Sequence, residues 1–289
     1  VPPLVKDDGE QLPPIRTLSA IAYFYKHTYY SIMFTSFPLT GFTSAFIFIV
    51  SIAAWVYLAS KERQANTLTH GSLGYIRNYF LYMAIFGFFM TLPYLWLRSG
   101  PAAFSNPMAW GYVIGHIFLY IACLNVALMV CTLVPKLANA ARIITILWVI
   151  FIVAITIINA KTMIWGIKPI FDTSLGLTEL RASPIVGAGI GLQAAVGLLP
   201  AFILFAISAV KGNGPRRIKS SLLAAGFLIV IVGGPMHDLA RTAGFYATAD
   251  LLTTLGILLL GVGISYQLET SLVAMPDKSQ YKVAPSNTV

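Results

Sequence analysis

Four histidines are the side chains of this 289-residue chain most suited to chemistry. His116 follows Gly115 in GYVIGHIFLY, and His237 lies in GGPMHDLARTAG, both in apolar surroundings. His27 sits beside Lys26 in an aromatic segment, and His70 in a polar connector. An ionisable group inside a membrane-crossing stretch is a functional candidate by default. If the helix carrying His237 runs on to Gly244, His116 and His237 each lie about seven residues from same-side helix ends, a shared depth of about 10 Å at 1.5 Å per residue. Two imidazoles at one level on different helices suit axial ligation of a b-type haem. Arg241, one turn after His237, and Arg98 would then pair with the propionates, and Gly115, Gly233 and Gly234 would leave room for a flat macrocycle. Two other readings stay open. One is a non-haem metal such as copper, using His27 and Met236 beside His116 and His237. The other is purely local: His116 hydrogen-bonds a neighbour on its own helix, and His237 pairs with Asp238.

Other chemistry has little to stand on. Cys123 and Cys131 are eight residues apart in one apolar run, too far for a disulfide on one straight helix and without the converging partners of a metal site. They read as packing residues. No Ser–His–Asp arrangement, HExxH, phosphate loop or pair of intramembrane carboxylates is present, so the chain is not expected to be catalytic by itself. The GxGxG spacing of Gly187, Gly189 and Gly191 follows no strand, which removes a dinucleotide-binding reading. Asn125, Asn159, Gln193 and Gln267 are expected to hydrogen-bond between helices.

The elements that must position these residues are apolar runs at about 38–59, 77–97, 108–134, 142–165, 184–210, 218–240 and 250–268. Each is long enough for a hydrocarbon layer of about 30 Å, which takes about 20 helical residues. The chain is 57% hydrophobic and only 10% charged, where soluble domains carry about 25% charge. Its connectors alternate in charge. Lys61, Arg63, Arg77, Lys136, Arg142, Lys211, Arg216, Arg217, Lys219, Lys278 and Lys282 fall on one side with Glu62, Glu269 and Asp277. That side is +8 against +1 for the other, within the formal total of +9. Basic connectors stay in the cytoplasm, so the N-terminus is expected outside and the C-terminus inside, in a plasma (inner) membrane. The same placement accounts for the positive charge without nucleic acid, and leaves lipid head groups as natural contacts.

The expected fold is all-α: a polytopic bundle of seven transmembrane helices over 38–273. Residues 1–37 form an extracytoplasmic tail and an aromatic amphipathic helix on the outer surface. Residues 274–289 form a cytoplasmic tail. The opening VPPLVKDDGEQLPP is polar and Pro-rich, not an apolar leader; either a leader was removed before it or the tail is translocated intact. The outer connector at 166–183 has room for a short amphipathic helix. Gly187, Gly191 and Ala195 recur every four residues, which predicts a smooth strip for close helix approach; Gly256 and Gly263 are expected to serve the last helix similarly. Pro93 predicts a kink near the outer end of the second run.

Residues 216–266, from RRIKSS through GGPMHDLARTAG to LLLGVGISY, resemble the last two helices of bacterial seven-helix sensor domains. These share a basic loop, a glycine within helix six, a polar break and a glycine within helix seven, and 78–142 has a similar character. The resemblance implies a receptor-like bundle with its N-terminus outside, which, lacking a kinase or cyclase domain after the last run, would signal through a partner. Microbial rhodopsins share the count and orientation, but residues 250–272 contain no lysine for retinal. Two functions follow as expectations. One is a membrane-complex subunit passing electrons through a b-type haem near the outer face, with other membrane subunits and lipids as partners. The other is a seven-helix sensor or receptor for a small apolar ligand.

Overall fold

The computed structural model describes residues 39–62, 67–96, 106–165, 170–172, 177–179, 183–239 and 243–273. The expected N-terminal helix, the tail after 273, His27, Arg98 and Arg241 lie outside them, and so do the side chains of His70 and Asp238. The described helices are α1 (Leu39–Glu62), α2 (Thr67–Trp96), α3 (Asn106–Leu133), α4 (Ala140–Trp165), α5 (Pro184–Lys211), α6 (Gly214–Leu239) and α7 (Ala243–Val273). Among the described residues, six of them, all but α2, are long and apolar enough to cross a membrane. In α2 the apolar run begins at the polar pair Arg77–Asn78.

The helix boundaries follow local chemistry. Pro107 sits in the first turn of α3, where a missing N–H costs nothing. Ser183 caps α5 by accepting from the Val186 N–H at 3.4 Å, with Pro184 at the first helical position. A 3-10 turn at Pro135–Leu137 reverses the chain between α3 and α4. Only Gly212 and Asn213 separate α5 from α6, and α6 opens at Gly214 with φ 53, a left-handed conformation that favours glycine. The described residues of the 166–183 connector are not helical. Strands β1 (Ile170–Asp172) and β2 (Leu177–Glu179) pair there antiparallel, Phe171 opposite Thr178. Pro169 disfavours helix at its start, and Ile170, Phe171 and Thr178 are strand formers. The fold is otherwise helical throughout the described residues.

Helix α3 is the most enclosed: 67% of its membrane-length window is buried inside the protein, against 17% for α4. Helices α1 and α2 pack together, α1 also meets α7, α7 meets α6, and α6 meets α5. Helix α4 lies outside this group against α3, held there by the Trp148 Nε1–H donated to the Tyr120 carbonyl at 3.0 Å. At the α6–α7 crossing the two backbones approach closely. A Cβ on Gly226 would come within 3.0 Å of the Gly256 carbonyl oxygen, and a Cβ on Gly256 within 3.0 Å of the Gly226 carbonyl oxygen. Gly263 meets Leu222 and Leu223 on the same interface. The α5 strip is rotated from its expected position. Gly189 meets Ile155 and Gly197 meets Cys123 and Trp148, while Gly191 only touches Pro235 and Ala195 faces outward. A π-helical segment at Ala194–Leu198 accounts for part of this, because one wide turn shifts the phase of everything after it.

A candidate ligand cavity between six helices

One cavity takes its wall from every helix except α4. The residues come from the first halves of α1 and α7, from the first halves and middles of α3 and α5, and from the last halves of α2 and α6. In an antiparallel arrangement those halves share one end of the bundle. Its volume is about 100 Å³, room for a small guest rather than the roughly 300–1,000 Å³ of drug-sized sites. Most of the surface is apolar, with Met83, Phe86, Met90, Leu119 and Val230 prominent. The polar groups are few: Thr43 and Ser44 from α1, Gln193 from α5, Thr253 and Asp250 from α7, and the imidazoles of His116 and His237.

Local sequence explains how the wall is built. Pro200 has no N–H to give the Val196 carbonyl, and its ring would crowd that carbonyl in a regular helix. The wide turn at Ala194–Leu198 stands where that crowding would fall, and Ala194 and Leu198 both line the cavity. Pro235 interrupts α6 in the same way two residues before His237. Gly234 beside it has no atom within 4 Å of a built Cβ, so the wall there is open.

The structure brings His116 and His237 to the same cavity, although not by the route the sequence suggests. Helix α6 is Gly214–Leu239, so His237 lies in its last turn, whereas His116 lies about 15 Å along α3 from Asn106 at 1.5 Å per residue. Equal distance from helix ends therefore does not hold; convergence of the helices on one cavity is what unites them. His116 is buried, and its Nδ1 lies 2.9 Å from the Tyr112 carbonyl oxygen one turn back. That is the local hydrogen bond weighed as an alternative role. The Phe86 and Tyr120 rings meet its imidazole edge-on.

His237 pairs across helices. Its Nε2 is 3.3 Å from Oδ1 of Asp250, and the Tyr246 ring stands edge-on at 5.3 Å. Asp250 is the residue the sequence reading overlooked. It stands at the first position of the seventh apolar run and reads there as a boundary residue. Helix α7, however, begins at Ala243 and carries Asp250 inside the bundle at 8% exposure. The signal was present: AGFYATAD contains no proline, and Tyr246, Asp250 and Thr254 recur at helical spacing on one face. Oδ2 of Asp250 and both amide atoms of Gln193 are buried without a hydrogen-bond partner. Gln193, expected to bond between helices, instead turns an unsatisfied amide toward the cavity at 3% exposure.

Cys123 and Cys131 are both free and buried, in keeping with packing roles. Among the described residues, no group of three or more His, Cys, Asp or Glu side chains is arranged to hold a metal ion. No family model matches the chain, and neither the curated proteins nor the solved structures contain a match to it.

Proposed function

We propose that this chain is a seven-crossing protein of the plasma (inner) membrane, N-terminus outside, that binds a small, largely apolar molecule between its helices as a receptor or sensor and signals through a partner. The observation that carries this reading is the single cavity walled by six helices. An apolar wall with a few buried polar groups is the usual make-up of a small-molecule site. The alternating charge of the connectors supports the orientation, and puts the cavity in the outer half of the bilayer. A ligand touching six helices has differential contacts with any two arrangements of them, which is what a ligand needs to shift a conformational equilibrium.

The test is thermal unfolding of the detergent-solubilised protein with a panel of small apolar compounds. Ala194→Phe fills the cavity from the π segment. Binders should raise the melting temperature of the parent chain and leave this variant unmoved. If no compound acts on the parent, or the variant responds as the parent does, the cavity is not the site.

A second reading keeps a b-type haem, and with it a place in an electron-transfer complex. What supports it is that both imidazoles line the same cavity. His116 faces the Tyr112 carbonyl through Nδ1, and His237 faces Asp250 through Nε2. A Soret band in protein purified from haem-replete cells, lost in both His116→Ala and His237→Ala, would favour this reading. A colourless, folded protein is the expected result.

A further inference from the structure

The polar groups of the cavity specify more than a generic apolar guest. Asp250 is a carboxylate more than nine-tenths buried, with one oxygen toward His237 and the other unpartnered. Gln193, on a different helix, is buried more deeply and has neither amide atom satisfied. Both line the cavity. Unsatisfied polar atoms are costly in a membrane interior and seldom left so without a use. Two of them on one cavity point to a ligand that completes their hydrogen bonds.

The sign of that ligand follows from the charges around it. Among the described residues, the ionisable side chains on the wall are Asp250, His116, His237, Cys123 and Tyr112, with no lysine or arginine. The imidazole of His237 faces Oδ1 and leaves Oδ2 without a donor. An anionic guest would bring that oxygen a second acceptor rather than a donor. A neutral guest of hydrocarbon alone would leave Oδ2 and the Gln193 amide as they are. An ammonium group answers both: it donates to Oδ2 and to the Gln193 carbonyl oxygen, and the rings of Phe86 and Tyr112 on the same wall favour a cation over their faces.

Resting on the cavity as the binding site, we propose that its ligand is a monoamine with an apolar, ring-sized body, the ammonium seated against Asp250 and Gln193 and the body among Met83, Phe86 and Met90. One buried carboxylate calls for one positive charge, and the thioether and aromatic side chains adapt to a flat apolar body.

Three matched probes test this on the full chain in detergent micelles at pH 7, by titration calorimetry: 2-phenylethylamine, 2-phenylethanol and 3-phenylpropionate. The amine should bind at least about tenfold more tightly than the alcohol, and the acid should give no heat. Asp250→Asn should bring the amine to within about threefold of the alcohol. Gln193→Leu should narrow the preference as well, and carries the test if Asp250→Asn does not fold. Equal binding of amine and alcohol, or an amine preference that survives both substitutions, overturns the proposal while leaving the cavity as a binding site. Binding of none of the three also overturns it; the Ala194→Phe comparison with the wider panel then tells whether the cavity reading falls too.

Discussion

Gly226 and Gly256 face each other across the α6–α7 crossing so closely that a methyl group on either would press on the other's carbonyl oxygen at 3.0 Å. Small residues allow such approach in membranes, where packing rather than water drives association. The atoms met by a Cβ on Gly256 also include the Val230 backbone nitrogen at 3.0 Å, and a backbone cannot rotate away. Gly256→Leu should therefore lower the melting temperature in detergent by several degrees or prevent accumulation. Gly71→Ala, where a Cβ meets nothing within 4 Å, should be neutral or slightly stabilising, since alanine is favoured over glycine in a helix by about 0.5–1 kcal/mol.

The His237–Asp250 pair predicts strong non-additivity. Removing one member of a buried pair strands the other, at a cost of about 3–5 kcal/mol in the general case, whereas replacing both by apolar groups is often neutral. His237→Leu should thus destabilise more than the double variant His237→Leu with Asp250→Leu. A melting-temperature cycle over the four proteins reads this directly. Additive losses would mean that the two side chains do not interact.

At the other end of the bundle, Arg77 donates to the buried carboxylate of Glu62, joining α2 to the last turn of α1. The arginine side chain is 32% exposed, so solvent screening reduces the value of the contact. Glu62→Gln should cost about 1 kcal/mol, and the loss should shrink in high salt. Chemical denaturation at two salt concentrations gives the comparison.

Orientation has its own check. Arg216 is exposed at the start of α6. Arg216→Cys, made with Cys123→Ala and Cys131→Ala, should react with an impermeant maleimide in inside-out vesicles and not in intact cells. Labelling of intact cells would invert the topology.

Several features of this fold can be read without coordinates. Each apolar run became a helix, because twenty or so apolar residues in lipid have no other way to satisfy their backbone groups. The helices then run past the runs that announce them. Arg216, Arg217 and Lys219 are part of α6, and Ala243–Ala249 precede the seventh run as the first two turns of α7. Hydropathy marks where lipid begins, not where a helix does, and that difference hid Asp250. His116 and His237 stood out as isolated ionisable groups; their partners, Tyr112 and Asp250, did not, since one is a backbone carbonyl and the other stands at the edge of its apolar run. The wide turn in α5 has only Pro200 as its trace in the sequence.

That turn at Ala194–Leu198 amounts to one surplus residue in α5. A chain shortened by Val196, with Pro200→Ala to remove the steric reason for the bulge, would restore an unbroken 3.6-residue repeat and leave both halves of the helix facing their present neighbours. Most single deletions in a transmembrane helix swing one half by about 100° and should abolish folding. This one should be tolerated, at the expense of the recess that Ala194 and Leu198 now line.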